Sequence, residues 1–449
     1  MPDTLKTEAS KNLSIAAPIM VSQLAQVGLN VVDVLMAGNL SEQGLAAVSV
    51  GAGLWFPVLL FLTGIMIITS AMIANAHGAR SPERIQKVAS QAIYLGLLCG
   101  GAGIAFALSA NFLTQFLTLP DNVIDTTNHY FIGLAFGAPA IGLSLALRNY
   151  CEGLSNPRPV TLITVVGLIA NIPLNYILMH GLFGAPKLGG AGCGWATGIV
   201  SWLMLLLFVL HIRSHSLYQQ HSPLKKILPV DFHLLKNMFK QGLPIGLAIF
   251  FECSLFSVVT LMISNHGTTI LSGHEIAHNV AAVVFMIPLS IGMATTVRTG
   301  FLLGEGKQVL ARQAGFCGIL LALFCALVSS GSMILFNNAI ADLYTNNAEV
   351  AATASLLICY AAVFQFSDAT QVSSAGALRG YNDTRAAMMI TFFAYWVVGL
   401  PVGYLLAETD LLSTPMGAPG YWTGTISGLT MAAVLLLSRF AIISKKRLT

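Results

Sequence analysis

Long uncharged apolar runs constrain this chain more than any other feature. Leu54 to Ile73, Ile93 to Ala110 and Met388 to Leu406 contain no Asp, Glu, Lys or Arg. Each approaches the roughly 20 residues that carry a helix across about 30 Å of hydrocarbon. In lipid, every backbone N–H and C=O must be satisfied within the chain, which leaves helices and closed barrels. A barrel would alternate polar and apolar residues over segments of about ten. These runs are continuous, so the expected class is an all-α membrane protein. Composition agrees: 9% of residues are charged, against roughly a quarter in a soluble domain.

The pattern predicts twelve transmembrane helices, at about 12–37, 45–76, 88–111, 125–150, 158–180, 191–212, 238–264, 271–301, 311–335, 349–377, 385–407 and 419–440. Met1 to Asn12 is polar and of mixed charge, with no small-residue cleavage site, so the first helix is expected to stay in the protein. With the N-terminus placed in the cytoplasm, Lys187 is the one basic residue of 22 that falls on the far side. Such an asymmetry predicts that both termini are cytoplasmic, and it supports the helix count. The seven cysteines have irregular spacing and no C-x-x-C pair, which reads as small buried hydrophobes. A net charge of +4 spread over many loops gives no footprint for nucleic acid.

The chain repeats itself. Pro18 matches Pro244, Gly64 matches Gly292, Glu152 to Asn156 matches Arg379 to Asp383, Pro173 and Tyr176 match Pro401 and Tyr404, and Gly194 to Gly198 matches Gly420 to Gly424, all at offsets of 226 to 228. The predicted organisation is a six-helix lobe over 1–212, a cytoplasmic linker over 213–236 and a second six-helix lobe over 237–449. Six is even, so the repeats run parallel, and the expected architecture is two bundles around a central cleft, as in alternating-access transporters.

Three acids fall within predicted helices at depth: Asp33, Glu252 and Asp368. No Lys or Arg is expected at that depth. An ionised carboxylate in hydrocarbon costs about 2.5–3.5 kcal/mol or more, so it needs a partner, a proton or water. A mobile cation, H⁺ or Na⁺, is the natural partner. Asn171 and Asn175, one turn apart, and Thr197 add oxygen atoms of the kind hard cations favour. Helix–helix hydrogen bonding is the plainer role for these side chains.

His274-Glu275-Ile276-Ala277-His278 spells H-E-x-x-H on a predicted helix, the pattern of a zinc metalloprotease. It sits near the external end of its helix, the first half carries no counterpart, and no third ligand stands out. The expectation is therefore packing for His274, Glu275 and His278, with no metal and no cofactor.

Val32-Asp33-Val34-Leu35-Met36-Ala37-Gly38, Leu45-Ala46-Ala47, Glu152-Gly153, Asn156-Pro157, Asn171 to Tyr176, Glu252 and Arg379-Gly380 resemble the MATE family, the multidrug and toxic compound extrusion transporters, and its NorM-like branch. The resemblance covers nearly the whole chain. It implies a non-enzymatic antiporter of the bacterial inner membrane that exports small organic, often cationic drugs in exchange for Na⁺ or H⁺; because the duplicated halves already form a cleft, a monomer is the expected working unit. It also implies a main cation site at Glu252 and Asp368, and a second polar site at Asp33, Asn171, Asn175 and Thr197. Asn175 departs from those members, outside this branch, that carry an acid there. A lipid-linked saccharide flippase of a related fold is the alternative, and it would be expected to line its cleft with Arg and Lys. A channel is disfavoured because the deep acids form no symmetric ring.

Overall fold

The computed structural model describes residues 2–115, 120–411 and 414–448. Among them all regular structure is helical: α1 (Pro2–Leu40), α2 (Glu42–Gly78), α3 (Pro82–Thr114), α4 (Asp121–Gly153), α5 (Arg158–His180), α6 (Gly192–Ser214), α7 (Phe232–Ile263), α8 (Thr268–Gly304), α9 (Gln308–Leu335), α10 (Asn337–Tyr344), α11 (Ala348–Gly380), α12 (Thr384–Phe392), α13 (Leu400–Glu408) and α14 (Ala418–Lys446). Short 3₁₀ turns join some of them, and a π-helix, Phe393–Gly399, joins α12 to α13. Among the described residues twelve segments are long and apolar enough to cross a membrane, α12 to α13 counting as one and α10 as none. The expected all-α, twelve-span class holds.

The helices outrun the predicted spans. α1 begins at Pro2 instead of near residue 12 because its first turns find polar partners. Arg298 donates from Nε and Nη2 to the two oxygens of Glu8, at 2.6 and 2.7 Å, and Asn12 Nδ2 donates to the Ala314 carbonyl at 3.4 Å. Pro18, Pro57, Pro139, Pro173, Pro244 and Pro288 sit inside helices. Pro401 stands at the start of α13, directly after the π-helix. It has no N–H for the carbonyl one turn back, and its ring crowds that carbonyl. The wider π turn relieves that conflict.

The chain forms two compact units. One is Val21–Gly246, and the other joins the chain through Met20 to the part from Leu247 onward. These boundaries lie inside α1 and α7, so the 213–236 connection belongs wholly to the first unit. In that unit α4 packs on α2, α3 and α6 around Ala37, Trp55, Tyr130, Phe131, Leu134 and Met179. In the other, α11 packs on α8, α9 and α14, with a core that includes Leu255, Ile276, Phe364, Tyr395 and Trp422. The repeat is visible inside each unit separately. A Cβ on Gly153 would sit 2.8 Å from the Ser70 carbonyl oxygen, and one on Gly380 would sit 3.0 Å from that of Thr296. Both pairs are related by the offset read in the sequence. Only glycine lets the two helix backbones approach this closely.

The connection after α6 is strapped to α3. Gln91 Nε2 donates to the Pro229 carbonyl and Gln91 Oε1 accepts from the Asp231 amide, each at 3.0 Å. Ser90 Oγ accepts from the Leu228 amide, and Tyr94 donates to the Leu228 carbonyl. Lys87 pairs with Asp231 at 2.7 Å, and Asp231 in turn accepts the Leu234 amide at the start of α7. The Lys87 ammonium, with the Leu234 amide behind it, holds the Asp231 carboxyl below its usual range.

Candidate functional site

The four polar residues expected in the first half come together. α1 presents Asp33 on the side that also carries the buried Ala37, α5 presents Asn171 and Asn175 on one face, and α6 presents Thr197. Asn175 Nδ2 donates to Asp33 Oδ1 at 2.6 Å and to Asn171 Oδ1 at 2.9 Å, and Thr197 donates to Asp33 Oδ2 at 2.9 Å. Asp33, Asn171 and Asn175 are buried. These lengths suit a charged acceptor. A carboxylate has about four acceptor sites, so Asp33 keeps capacity beyond these two bonds. The buried Asn175 Oδ1 has no partner at all. The arrangement is a cluster of oxygens on three helices around one acid.

The second cluster is built differently. Asp368 lies midway along α11 at 1% exposure, and neither carboxylate oxygen has a hydrogen-bond partner. Glu252, half-buried on α7, is close enough to interact electrostatically with it. Gln365 and Gln371, three residues either side of Asp368, are also buried, and the Oε1 of each lacks a partner. Together these side chains form a polar stripe along α11. A buried acceptor left without a donor costs about 1–3 kcal/mol, and more if charged. A row of such acceptors around two acids is suited to holding a cation.

Two residues of this cluster escaped the sequence reading. Tyr395, in the π-helix, is fully buried with an unpartnered hydroxyl, and it interacts electrostatically with both Glu252 and Asp368. The nearby Pro401 was the available signal, since it forces the irregular turn that carries this tyrosine. Arg379 was expected at the membrane surface. It is instead 9% exposed, within electrostatic reach of Glu252 but beyond ion-pair distance, so the expectation of no basic residue near the deep acids is corrected.

The H-E-x-x-H string is occupied with packing. His274 is buried, its Nδ1 accepts from the Trp422 indole N–H at 3.2 Å, and its Nε2 lies 2.9 Å from the Thr260 hydroxyl. An indole N–H can only donate, so Nδ1 is bare, Nε2 carries the hydrogen and the ring is neutral. His278 stacks on His274 with ring centroids 6.0 Å apart and packs against Phe256. With both nitrogens of His274 committed, it does not offer the ligand a zinc site requires. Among the described residues no three His, Cys, Asp or Glu side chains are grouped to hold a metal ion.

A family profile, MatE, matches residues 18–177 and again 244–405, two segments offset by the same spacing as the internal repeat. A probable multidrug resistance protein NorM of Shewanella oneidensis is 41% identical over 98% of this chain and 96% of its own length. The multidrug resistance protein PmpM of Pseudomonas aeruginosa is 43% identical over 97% of this chain and 92% of its own. Among solved structures, the eukaryotic MATE transporter AtDTX14 superposes with a TM-score of 0.87 at 19% identity, covering 99% of both chains. An outward-facing MATE transporter of the MOP superfamily superposes at 0.88 and 20% identity, over 98% of this chain and 97% of that one. The two matches of the profile and the relatives each span most of the chain's length, and the chain belongs to the MATE family of multi-pass membrane transporters, which are not enzymes.

Proposed function

We propose that this protein is a cation-driven multidrug antiporter of the bacterial inner membrane, in which organic, often cationic compounds leave as Na⁺ or H⁺ enters. The observation that carries the reading is Asp368, a buried carboxylate without a hydrogen-bond donor, beside Glu252. A site of this kind is stable when a mobile cation fills it and costly when it is empty, so ion occupancy biases conformation. Glu252 and Asp368 form the main coupling site, with Asp33, Asn171, Asn175 and Thr197 as a second polar site in the other repeat. The relatives named as multidrug resistance proteins support the substrate class. The basic residues support cytoplasmic termini, and the internal duplication supports a monomer as the working unit.

Drug and cation each weaken the other's binding, because linkage is reciprocal. A potential of 100 mV contributes about 2.3 kcal/mol per charge, enough for a tens-fold gradient if one net charge moves. The test is efflux of ethidium from proteoliposomes under separate Na⁺ and H⁺ gradients, with wild type beside Glu252→Gln and Asp368→Asn. Gradient-driven efflux that both substitutions abolish is expected. Efflux indifferent to both gradients, or undiminished in both variants, would overturn the reading.

A further inference from the structure

The two repeats treat one buried spot in opposite ways. In the first unit, Arg148 on α4 donates from Nε to Glu152 at 2.9 Å, from Nη1 to Gln26 at 2.8 Å and from Nη2 to Gln23 at 2.6 Å. Its charge is balanced by Glu152, and each of its three nitrogens donates one hydrogen bond. The repeat offset carries Gln26 onto Glu252 and Glu152 onto Arg379. The close approaches at the adjacent Gly153 and Gly380 put residues 152 and 379 at the same place in their units. So where the first repeat has a neutral amide touching a self-neutralised Arg–Glu pair, the second has an acid on α7 and a lone arginine on α11. Arg379 Nη1 is buried with no hydrogen-bond partner, and no ion pair joins it to Glu252. In the first unit the side chains at these two positions, Gln26 and Glu152, are bridged by the Arg148 guanidinium, whose own counterpart in the second repeat is Ala375.

We propose that Arg379 is a tethered counter-cation for the Glu252–Asp368 site, engaging Glu252 when the site holds no coupling ion and yielding it when the ion enters. This rests on the cation-coupled reading above. Two carboxylates and one guanidinium leave a net charge of −1, which one monovalent ion cancels. Without the arginine the charge is −2, and the site would retain a monovalent ion too tightly or admit a second. Arginine keeps its charge at every physiological pH, so it competes with the ion under all conditions. It is a positioning residue that sets how readily the ion is bound and released.

The experiment measures ethidium efflux from proteoliposomes against coupling-cation concentration for wild type, Arg379→Gln, Arg379→Lys and Glu252→Gln. Arg379→Gln should lower the half-saturating cation concentration about tenfold, as expected for removing one nearby positive charge, raise the Hill coefficient and slow turnover at saturation. Arg379→Lys keeps the charge and should stay close to wild type in half-saturation. A merely structural arginine would alter protein yield or maximal rate and leave half-saturation unmoved, which would overturn the proposal. If Arg379→Gln does not fold, Glu252→Gln with Arg379→Gln removes both charges and should recover a monodisperse protein; failure of that recovery would equally overturn it. Coupled wild type, uncoupled Glu252→Gln and an unmoved Arg379→Gln would sink this inference alone. A wild type that ignores both gradients would sink the antiport reading, and this inference with it.

Discussion

Asn175 Nδ2 lies 2.6 Å from Asp33 Oδ1 and also donates to Asn171, so a single amide group ties α1 to α5 and fixes a second side chain on α5. Both residues are buried, and Thr197 supplies the other bond to the acid. Removing the amide leaves a buried carboxylate with one donor fewer. Asn175→Ala should therefore cost about 1–3 kcal/mol of stability. Asn175→Asp should cost more at neutral pH, because a second carboxyl would replace a donor with an acceptor, and it should regain stability on acidification. Thermal unfolding in detergent at pH 5 and pH 8 checks both; an Asn175→Asp variant equally stable at the two values would contradict the account.

The neutral tautomer of His274 follows from Trp422, and it makes a prediction about metals. If Trp422 and Thr260 occupy both imidazole nitrogens, chelators such as phenanthroline should leave transport unchanged. Trp422→Phe keeps most of the ring volume and removes the donor, leaving His274 Nδ1 buried without a partner. The cost should be about 1–2 kcal/mol, read as a lowered unfolding temperature. A loss of activity on chelation, restored by zinc, would revive the protease reading.

The strap on α3 carries a histidine that should respond to pH. His221 Nδ1 lies 2.8 Å from the Tyr150 hydroxyl, and burial, with His77 nearby, pushes its pKa below the usual 6.5. A folded state that disfavours the charged ring holds fully above the ordinary value and weakens as the pH falls below it. The Asp231 carboxyl is also held below its usual value, but that value is 3.8, so its pairing with Lys87 stays intact throughout the range in which His221 gains its proton. Hydrogen exchange in residues 216–231, corrected for intrinsic rate, should therefore speed up between pH 7.5 and pH 5.5 in wild type. His221→Gln should abolish that change. Identical protection at both values in wild type would refute it.

Much of this architecture could be read from residue order because lipid enforces strong patterns. Twelve spans and the duplication follow from run length, charge asymmetry and recurrent Pro and Gly positions. Asp33, Asn171, Asn175 and Thr197 were found as a set because acids and amides are rare in hydrocarbon and cost much there. The helix ends were misjudged at α1, since Glu8 looks like a loop residue until Arg298, 290 positions away, is brought to it. Arg379 was misplaced for a related reason. At the last turn of α11 a sequence pattern cannot distinguish an arginine that reaches outward from one that turns in. Tyr395 was invisible because an aromatic residue in an apolar run looks like packing, and only the π turn before Pro401 gives it a direction.

Tyr395 allows a prediction in which stability and function move apart. Its hydroxyl is buried and has no hydrogen-bond partner. Deleting an unsatisfied buried hydroxyl while keeping the ring removes a penalty, so Tyr395→Phe should be as stable as wild type or slightly more stable. If the hydroxyl belongs to the cation site with Glu252 and Asp368, the same change should raise the half-saturating cation concentration severalfold. A purely packing tyrosine would give the first effect without the second. Unfolding temperature and cation-dependent efflux, measured on one preparation, separate the two roles. An unchanged half-saturation in a well-folded Tyr395→Phe protein would return Tyr395 to the core and leave Glu252, Asp368 and the glutamines of α11 as the site.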